Sequence, residues 1–157
     1  MAQLVPRLTL VTQNVDNLHQ RAGSRHVIEY HGNLLRDRCT VESVVAERAQ
    51  LSITGLPECA RCGELLRPDV VWFGEAIPAR ALLAAEQAAT DCDAFLAIGT
   101  SALVYPAAGL AERALRSGAA VIEVNPDTTA LSPLADHVLR GPSGVILPRL
   151  VDALRTR

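Results

Sequence analysis

The second half of the chain constrains the fold most, because apolar runs of strand length alternate there with Ala- and Leu-rich runs of helix length. Pro78 stands where a first helical turn accepts proline, and Ala81 to Ala89 is built mostly from Ala and Leu. Ala94 to Ile98 is a short apolar run that ends in Gly99-Thr100-Ser101. Pro106 opens a second helix through Leu115, and Gly118 lies where a C-terminal cap belongs. Val121 to Val124 reads as a further strand, followed by Asn125-Pro126; His137 to Leu139 reads as a last short strand and Val145 to Leu154 as a last helix. This alternation predicts βαβ units, and therefore an α/β fold with a parallel sheet covered by helices on both faces.

The first half is less regular. Leu8 to Val11 predicts a buried strand that opens into the polar stretch Thr12-Gln13-Asn14-Val15-Asp16. A helical turn is expected around Asn17 to Arg21, closed by Gly23, and a second short extended segment over Val27 to Tyr30, ending at His31-Gly32. From Asn33 to Pro68 periodicity is weak, and three of the four cysteines fall there. Residues 33–69 are therefore expected to form a small inserted module with its own stabilising device, leaving 1–32 and 70–157 as the main sheet domain. Val70 to Glu75, with the only Trp, is expected to be extended.

Composition removes several function classes. With 49% hydrophobic and 20% charged residues in 157, a packed core is expected and disorder is not. A net charge of −2 offers no electrostatic footprint for nucleic acid. Apolar runs are too short for a membrane span, and Met1 to Arg7 lacks the features of a signal peptide, so the expected location is cytoplasmic, with no membrane partner.

In an open parallel sheet, ligands bind outside the carboxyl ends of the strands. That rule selects Thr12 to Asp16, Gly99 to Ser101 and Asn125 to Asp127. The Gly99-Thr100-Ser101 loop leads toward a helix start, where free N–H groups suit a phosphate; the same residues also simply make turns. His31, at the end of an apolar segment, is either a general base or a structural histidine, since imidazole titrates near neutrality. Cys59-Ala60-Arg61-Cys62 has the spacing of a zinc knuckle, and Cys39 lies upstream at a plausible distance. The expected second member of that upstream pair is absent, and position 42 is Glu42. Two readings stay open: three thiolates plus a carboxylate holding zinc, or a metal-free loop with vestigial cysteines.

The ordered set of motifs resembles the sirtuins. It comprises Thr-Gln-Asn-Val-Asp-Asn-Leu-His at 12–19, Ala22-Gly23, His31-Gly32, Cys59-x-x-Cys62, Leu66-Arg67-Pro68, Val71-Trp72-Phe73-Gly74-Glu75, Gly99-Thr100-Ser101 and Val124-Asn125. Val104-Tyr105-Pro106-Ala107-Ala108-Gly109, with the segment over 67–75, looks like the class III members, which favour succinyl and malonyl groups. The resemblance implies a partial Rossmann-like fold with a zinc-ribbon-like insertion, and an NAD-dependent protein-lysine deacylase acting on acylated lysine side chains. It implies that His31 is the base acting on a ribose hydroxyl. Asn14 and Asp16 would line the nicotinamide pocket, with Gln13 near the nicotinamide ribose. Gly99, Thr100 and Ser101 would hold phosphates and the adenosine ribose, Asn125 that same ribose, and Ser143 would lie near the adenine. Val71, Phe73, Gly74 and Glu75 would bind the acyl-lysine peptide as an added strand. Cys39, Cys59 and Cys62 would be the zinc ligands.

Sirtuins begin with a Gly-Ala-Gly-x-Ser loop and a segment ending in Pro-x-Phe-Arg, and neither occurs here. An incomplete sheet is then expected, with an exposed edge through which copies self-associate. The alternative reading is a truncated, catalytically inactive remnant that acts as a binding module.

Overall fold

A computed structural model describes residues 7–47 and 55–156. The elements are β1 (Leu10–Thr12), α1 (Leu18–Arg21), β2 (Val27–Glu29), β3 (Gly32–Cys39), β4 (Val45–Glu47), β5 (Leu66–Val70), α2 (Ala79–Asp91), β6 (Ala94–Ile98), α3 (Gly109–Arg116), β7 (Ala120–Asn125), β8 (His137–Arg140) and α4 (Ser143–Arg155). They fall into two compact units, one of Thr9–Leu82 and one that takes in Leu83–Arg157. Compactness thus cuts the chain after Leu82, whereas composition cuts it at residues 33 and 69.

The later unit is the α/β part. Strands β6, β7 and β8 are parallel neighbours in that order, with Leu96 opposite Ile122 and Val124 opposite Leu139. Helix α3 packs on β6 and β7, and α4 on β7. The core is made of small side chains: Ala97, Ala111, Ala114 and Ala119 close around Val121 and Leu131. Small residues let helix and sheet approach closely, which suits an Ala-rich sequence. Helix α3 ends in a glycine cap. Gly118, at φ 86, donates to the Leu115 carbonyl at 3.0 Å, and Ala119 donates to that of Ala114 at 3.0 Å. Glu123 is buried mid-strand on β7, where it accepts the Thr129 and Ser132 hydroxyls and lies 3.6 Å from Arg140. A buried carboxylate is tolerated only with such partners.

The earlier unit carries two small sheets. Strands β1 and β2 are parallel, Leu10 opposite Val27. Strands β4, β3 and β5 form an antiparallel sheet in that order. The expected parallel α/β arrangement is present, its strands falling among the described residues into two hydrogen-bonded sets, β1–β2 and β6–β7–β8. The extended run expected over Val70 to Glu75 is corrected. The strand is Leu66–Val70, and the chain turns after it, because Gly74 adopts φ 87 and the Glu75 N–H closes on the Trp72 carbonyl at 3.0 Å. No helix among the described residues is long and apolar enough to cross a membrane.

Candidate functional site

In the earlier unit, β1 delivers Thr12 to a polar loop, and that loop is held from within and from behind. The Thr12 hydroxyl accepts the Asn14 N–H at 3.1 Å, and the Asp16 carboxylate accepts the Leu18 N–H at 3.0 Å. The Val15 carbonyl accepts the Leu34 N–H at 2.9 Å. Leu34 lies where the β3–β5 register jumps, Asn33 facing Asp69 and Asp37 facing Pro68. At this bulge the Leu34 N–H bonds the loop rather than β5.

His31 immediately precedes β3. Its Nδ1 lies 3.2 Å from the Gln13 carbonyl. A carbonyl only accepts, so this contact places the ring proton on Nδ1 and leaves the Nε2 lone pair as the basic site. The ring also packs against Tyr30, centroids 5.6 Å apart. Gly32 beside it has a backbone reason to be glycine. Its φ is 81, and a Cβ there would meet the Asp69 carbonyl oxygen at 1.9 Å. The His-Gly pair thus joins an imidazole held to the Gln13 carbonyl and a glycine that close strand approach requires.

A network of ions that the sequence does not advertise fixes this end of β3. Arg36 pairs with Glu29 at 2.7 Å and with Asp69 at 3.1 Å. Glu29 also accepts Gln20 Nε2 at 2.6 Å and Asn33 Nδ2 at 2.5 Å. Burial pulls the Arg36 guanidinium down, but its bonds and charge attraction to Glu29 and Asp69 outweigh that and raise it.

The segment after β5 joins the same end, since Val71 donates to the His31 carbonyl at 3.0 Å. Glu75 is held by the Trp72 N–H at 3.0 Å and by Arg67 at 2.7 Å, and those two contacts lower its carboxyl below the ordinary range. The Arg67 guanidinium also lies over the Trp72 ring, 4.6 Å from the centroid. Phe73 is fully exposed. Of the four residues expected along this segment, Val71 is tied to His31, Glu75 braces the turn, and Phe73 and Gly74 form its exposed tip.

In the later unit, the remaining expected residues gather at the carboxyl ends of β6 and β7. Gly99, at φ 61, donates to the Val124 carbonyl at 3.0 Å. Asn125 is buried, and its Nδ2 donates to the Thr100 carbonyl at 2.8 Å while its Oδ1 accepts the Asp127 N–H at 3.2 Å. The Thr100 hydroxyl caps the Ala102 N–H at 3.2 Å. Asn125 faces Arg140 on β8, and its carbonyl accepts the Gly141 N–H at 3.2 Å; Ser143 then begins α4. One buried amide thus locks the Gly99–Ser101 loop to the β7 end. Open space lies beside Gly99, where a Cβ would meet nothing within 4 Å.

The three expected metal ligands also converge. The sulfurs of Cys39, Cys59 and Cys62 all lie within 4.8 Å of one another, with Cys39 and Cys62 3.6 Å apart. Thiolates on a tetrahedral zinc ion at about 2.3 Å would be about 3.8 Å apart, so the set fits an ion with little movement. The Glu42 and Val41 N–H groups hold the Cys39 thiol below its usual value. The Glu64 N–H pulls the Cys62 thiol down, but desolvation and the neighbouring Cys39 and Cys59 push it up to about 11. Glu42 is not among the converging atoms; its carboxylate pairs with Arg61 at 2.8 Å.

Comparison with known proteins gives one consistent result. The family model described as the Sir2 family matches residues 1–106. An NAD-dependent protein deacylase of Pyrococcus furiosus is 46% identical over 152 residues, which is 93% of this chain and 61% of that protein. A crystal structure of a Sir2 homologue in complex with NAD superposes with a TM-score of 0.91 at 46% identity, covering 98% of this chain and 60% of that one. A Sir2 structure with a p53 peptide and NAD+ gives 0.85 at 31% identity, covering 96% and 64%. The chain spans about three-fifths of the length of the first relatives it matches.

Proposed function

The chain belongs to the Sir2 family, and on that premise we propose that it serves NAD-dependent deacylation of protein lysine. The observation that carries this reading is the His31 Nδ1 contact to the Gln13 carbonyl, which leaves Nε2 as the basic nitrogen and ties the ring to the loop that the resemblance assigns to the nicotinamide end of NAD. NAD, when bound, supplies a ribose carbon from which nicotinamide leaves and to which the acyl oxygen adds. This chain's part is to place and deprotonate. His31 Nε2 takes the proton of a ribose hydroxyl, and the Gln13 carbonyl steadies the imidazolium that results. Asn14 and Asp16 line the nicotinamide side. The Gly99–Ser101 loop, locked by Asn125, presents backbone and hydroxyl groups to the phosphates and adenosine ribose, with Ser143 toward the adenine. Val71 to Glu75 receives the peptide, and Val71 couples it to His31. With one water consumed as the amine leaves, the products are free lysine, nicotinamide and O-acyl-ADP-ribose. Likeness to the class III members extends the acyl range to succinyl and malonyl.

The test measures NAD-dependent removal of acetyl and succinyl groups from a lysine peptide, with O-acyl-ADP-ribose read by mass spectrometry. It uses the chain as it stands and the chain joined to the N-terminal two-fifths of its Pyrococcus relative. Turnover in either form that disappears in His31→Ala is the expected result. Turnover that survives His31→Ala, or none in both forms, overturns the proposal.

A further inference from the structure

The cysteine cluster is built from two turns of the same design, and the position of the missing fourth ligand can be read from the better-furnished one. In the Cys59 turn, the Cys59 N–H donates to the Glu64 carbonyl at 2.7 Å, Cys62 stands three residues on, and Gly63 follows with φ 77. In the Cys39 turn, the Cys39 N–H donates to the Val44 carbonyl at 2.9 Å, Glu42 stands three residues on, and Ser43 follows with φ 55. The closing bond and the left-handed residue fall at the same offsets. Ser43 adopts a backbone that glycine takes far more readily, so the second turn keeps this shape at a cost. Glu42 therefore occupies the place in its turn that Cys62 occupies in the other. The Glu42 N–H, moreover, donates to the Cys39 sulfur at 3.3 Å, which holds residue 42 against the cluster.

We propose that Glu42 is the fourth ligand of an S3O zinc site formed with Cys39, Cys59 and Cys62, and that Arg61 holds its carboxylate aside until an ion arrives. Arg61 is the residue just before Cys62, so the latch and the ligand belong to the two facing turns. Its pair with Glu42 is largely exposed on the Arg61 side and is weak enough to exchange. Zinc accepts carboxylate oxygen at nearly the distance of an imidazole nitrogen, so the Glu42 carboxylate is a donor of a kind that zinc takes. Such a site carries three thiolates and one harder oxygen donor in place of four thiolates. The inference does not depend on deacylase activity.

The test titrates the full, reduced chain with Zn2+ against a chromogenic chelator, and with Co2+ by absorption spectroscopy. One ion per chain is expected. Glu42→Ala should weaken binding by about tenfold or more, at least the cost of losing an outer-shell partner. Arg61→Ala should tighten it by about two- to fivefold, the worth of an exposed ion pair released. Because the two variants move in opposite directions, a general loss of folding cannot imitate the result. Glu42→Cys should add a fourth thiolate-to-cobalt charge-transfer contribution. Equal affinity in wild type, Glu42→Ala and Arg61→Ala overturns the proposal, as does a Glu42→Cys cobalt spectrum that stays at three thiolates.

Discussion

Replacing Gly32 by alanine separates two ways in which a glycine can be required. Gly32 has φ 81, and its added Cβ would lie 1.9 Å from the Asp69 carbonyl oxygen, with the Asp69 carbonyl carbon at 2.9 Å. Both obstacles are backbone on the paired strand, so no side chain can swing away. Gly23 has the same kind of backbone, φ 90, with nothing within 4 Å of its Cβ position. The left-handed backbone alone costs about 1–3 kcal/mol in a non-glycine residue. Forcing a methyl group into closed packing adds about 1–3 kcal/mol. Gly23→Ala should therefore cost only the first amount, and Gly32→Ala about 2–6 kcal/mol. At about 2–4 °C per kcal/mol for a chain of this size, Gly32→Ala should melt about 4–24 °C lower. Circular dichroism melts of both variants beside the parent measure this. A Gly32→Ala melting point no lower than that of Gly23→Ala would refute the reasoning, since the strand contact would then contribute nothing.

Asn125→Ala removes two side-chain bonds at a buried position, and each lost partner costs about 1–3 kcal/mol; NAD affinity, read by calorimetry, should fall with stability because the Gly99–Ser101 loop is released. Glu123→Gln keeps one acceptor but turns an amide donor toward Ser132 or Thr129 and drops the charge facing Arg140, so it should lower the urea midpoint, and Glu123→Ala, which strands both hydroxyls, should lower it as well. Glu75 has a folded carboxyl value lowered by the Trp72 N–H and Arg67 from 4.5, so its contribution is present above the unfolded value and is lost as pH falls through the folded one. Trp72 is the only tryptophan, and its fluorescence should change in an acid titration as Arg67 lets go; Glu75→Gln should abolish that step, and an unaltered titration would argue against the brace.

What the sequence reveals here is set by how local each signal is. The Ala94–Ile98 strand is found at its predicted limits, and β7, β8 and α4 within two residues, because each is an apolar run bounded by turn residues. Gly118 caps α3 as expected, since a glycine after an amphipathic run carries its own meaning. The antiparallel β3–β5 pair, by contrast, joins segments far apart in the chain, and its alternation is broken by the bulge after Asn33. The turn at 72–75 is hidden for a similar reason. Apolar Val70 to Phe73 reads as a strand, while the bonds that bend it come from Glu75 and Arg67. Cysteine spacing correctly gathers Cys39, Cys59 and Cys62, yet it says nothing of Glu42 lying on Arg61. Glu29, Arg36 and Asp69 are ordinary strand charges until folding brings them together.

The geometry of β3 predicts that metal and catalysis are separable. Cys39, at one end, pairs with Leu66 and stands in the cysteine cluster; Gly32, at the other, pairs with Val70 and follows His31. Eight residues at about 3.3 Å each put the two ends roughly 23 Å apart. A rigid ladder would transmit any disturbance along that length. Here the register breaks at Leu34 to Arg36, and the His31 end is fixed by its own devices, the Arg36 pairs to Glu29 and Asp69 and the close Gly32 contact. Stripping zinc from a loaded sample should therefore lower the melting temperature while leaving turnover intact well below it. Asp69→Ala should do the reverse, since it removes the carboxylate that Arg36 and Arg38 share next to Val70 and Val71. A half-buried pair of this kind costs less than the roughly 3–5 kcal/mol of a fully buried one, so the variant should stay folded while deacylation falls. The decisive comparison is turnover at one low temperature for the chelator-treated parent and for zinc-loaded Asp69→Ala. If the stripped parent loses as much activity as the variant, the bulge does not insulate the two ends, and the module acts on His31 as a single rigid lever.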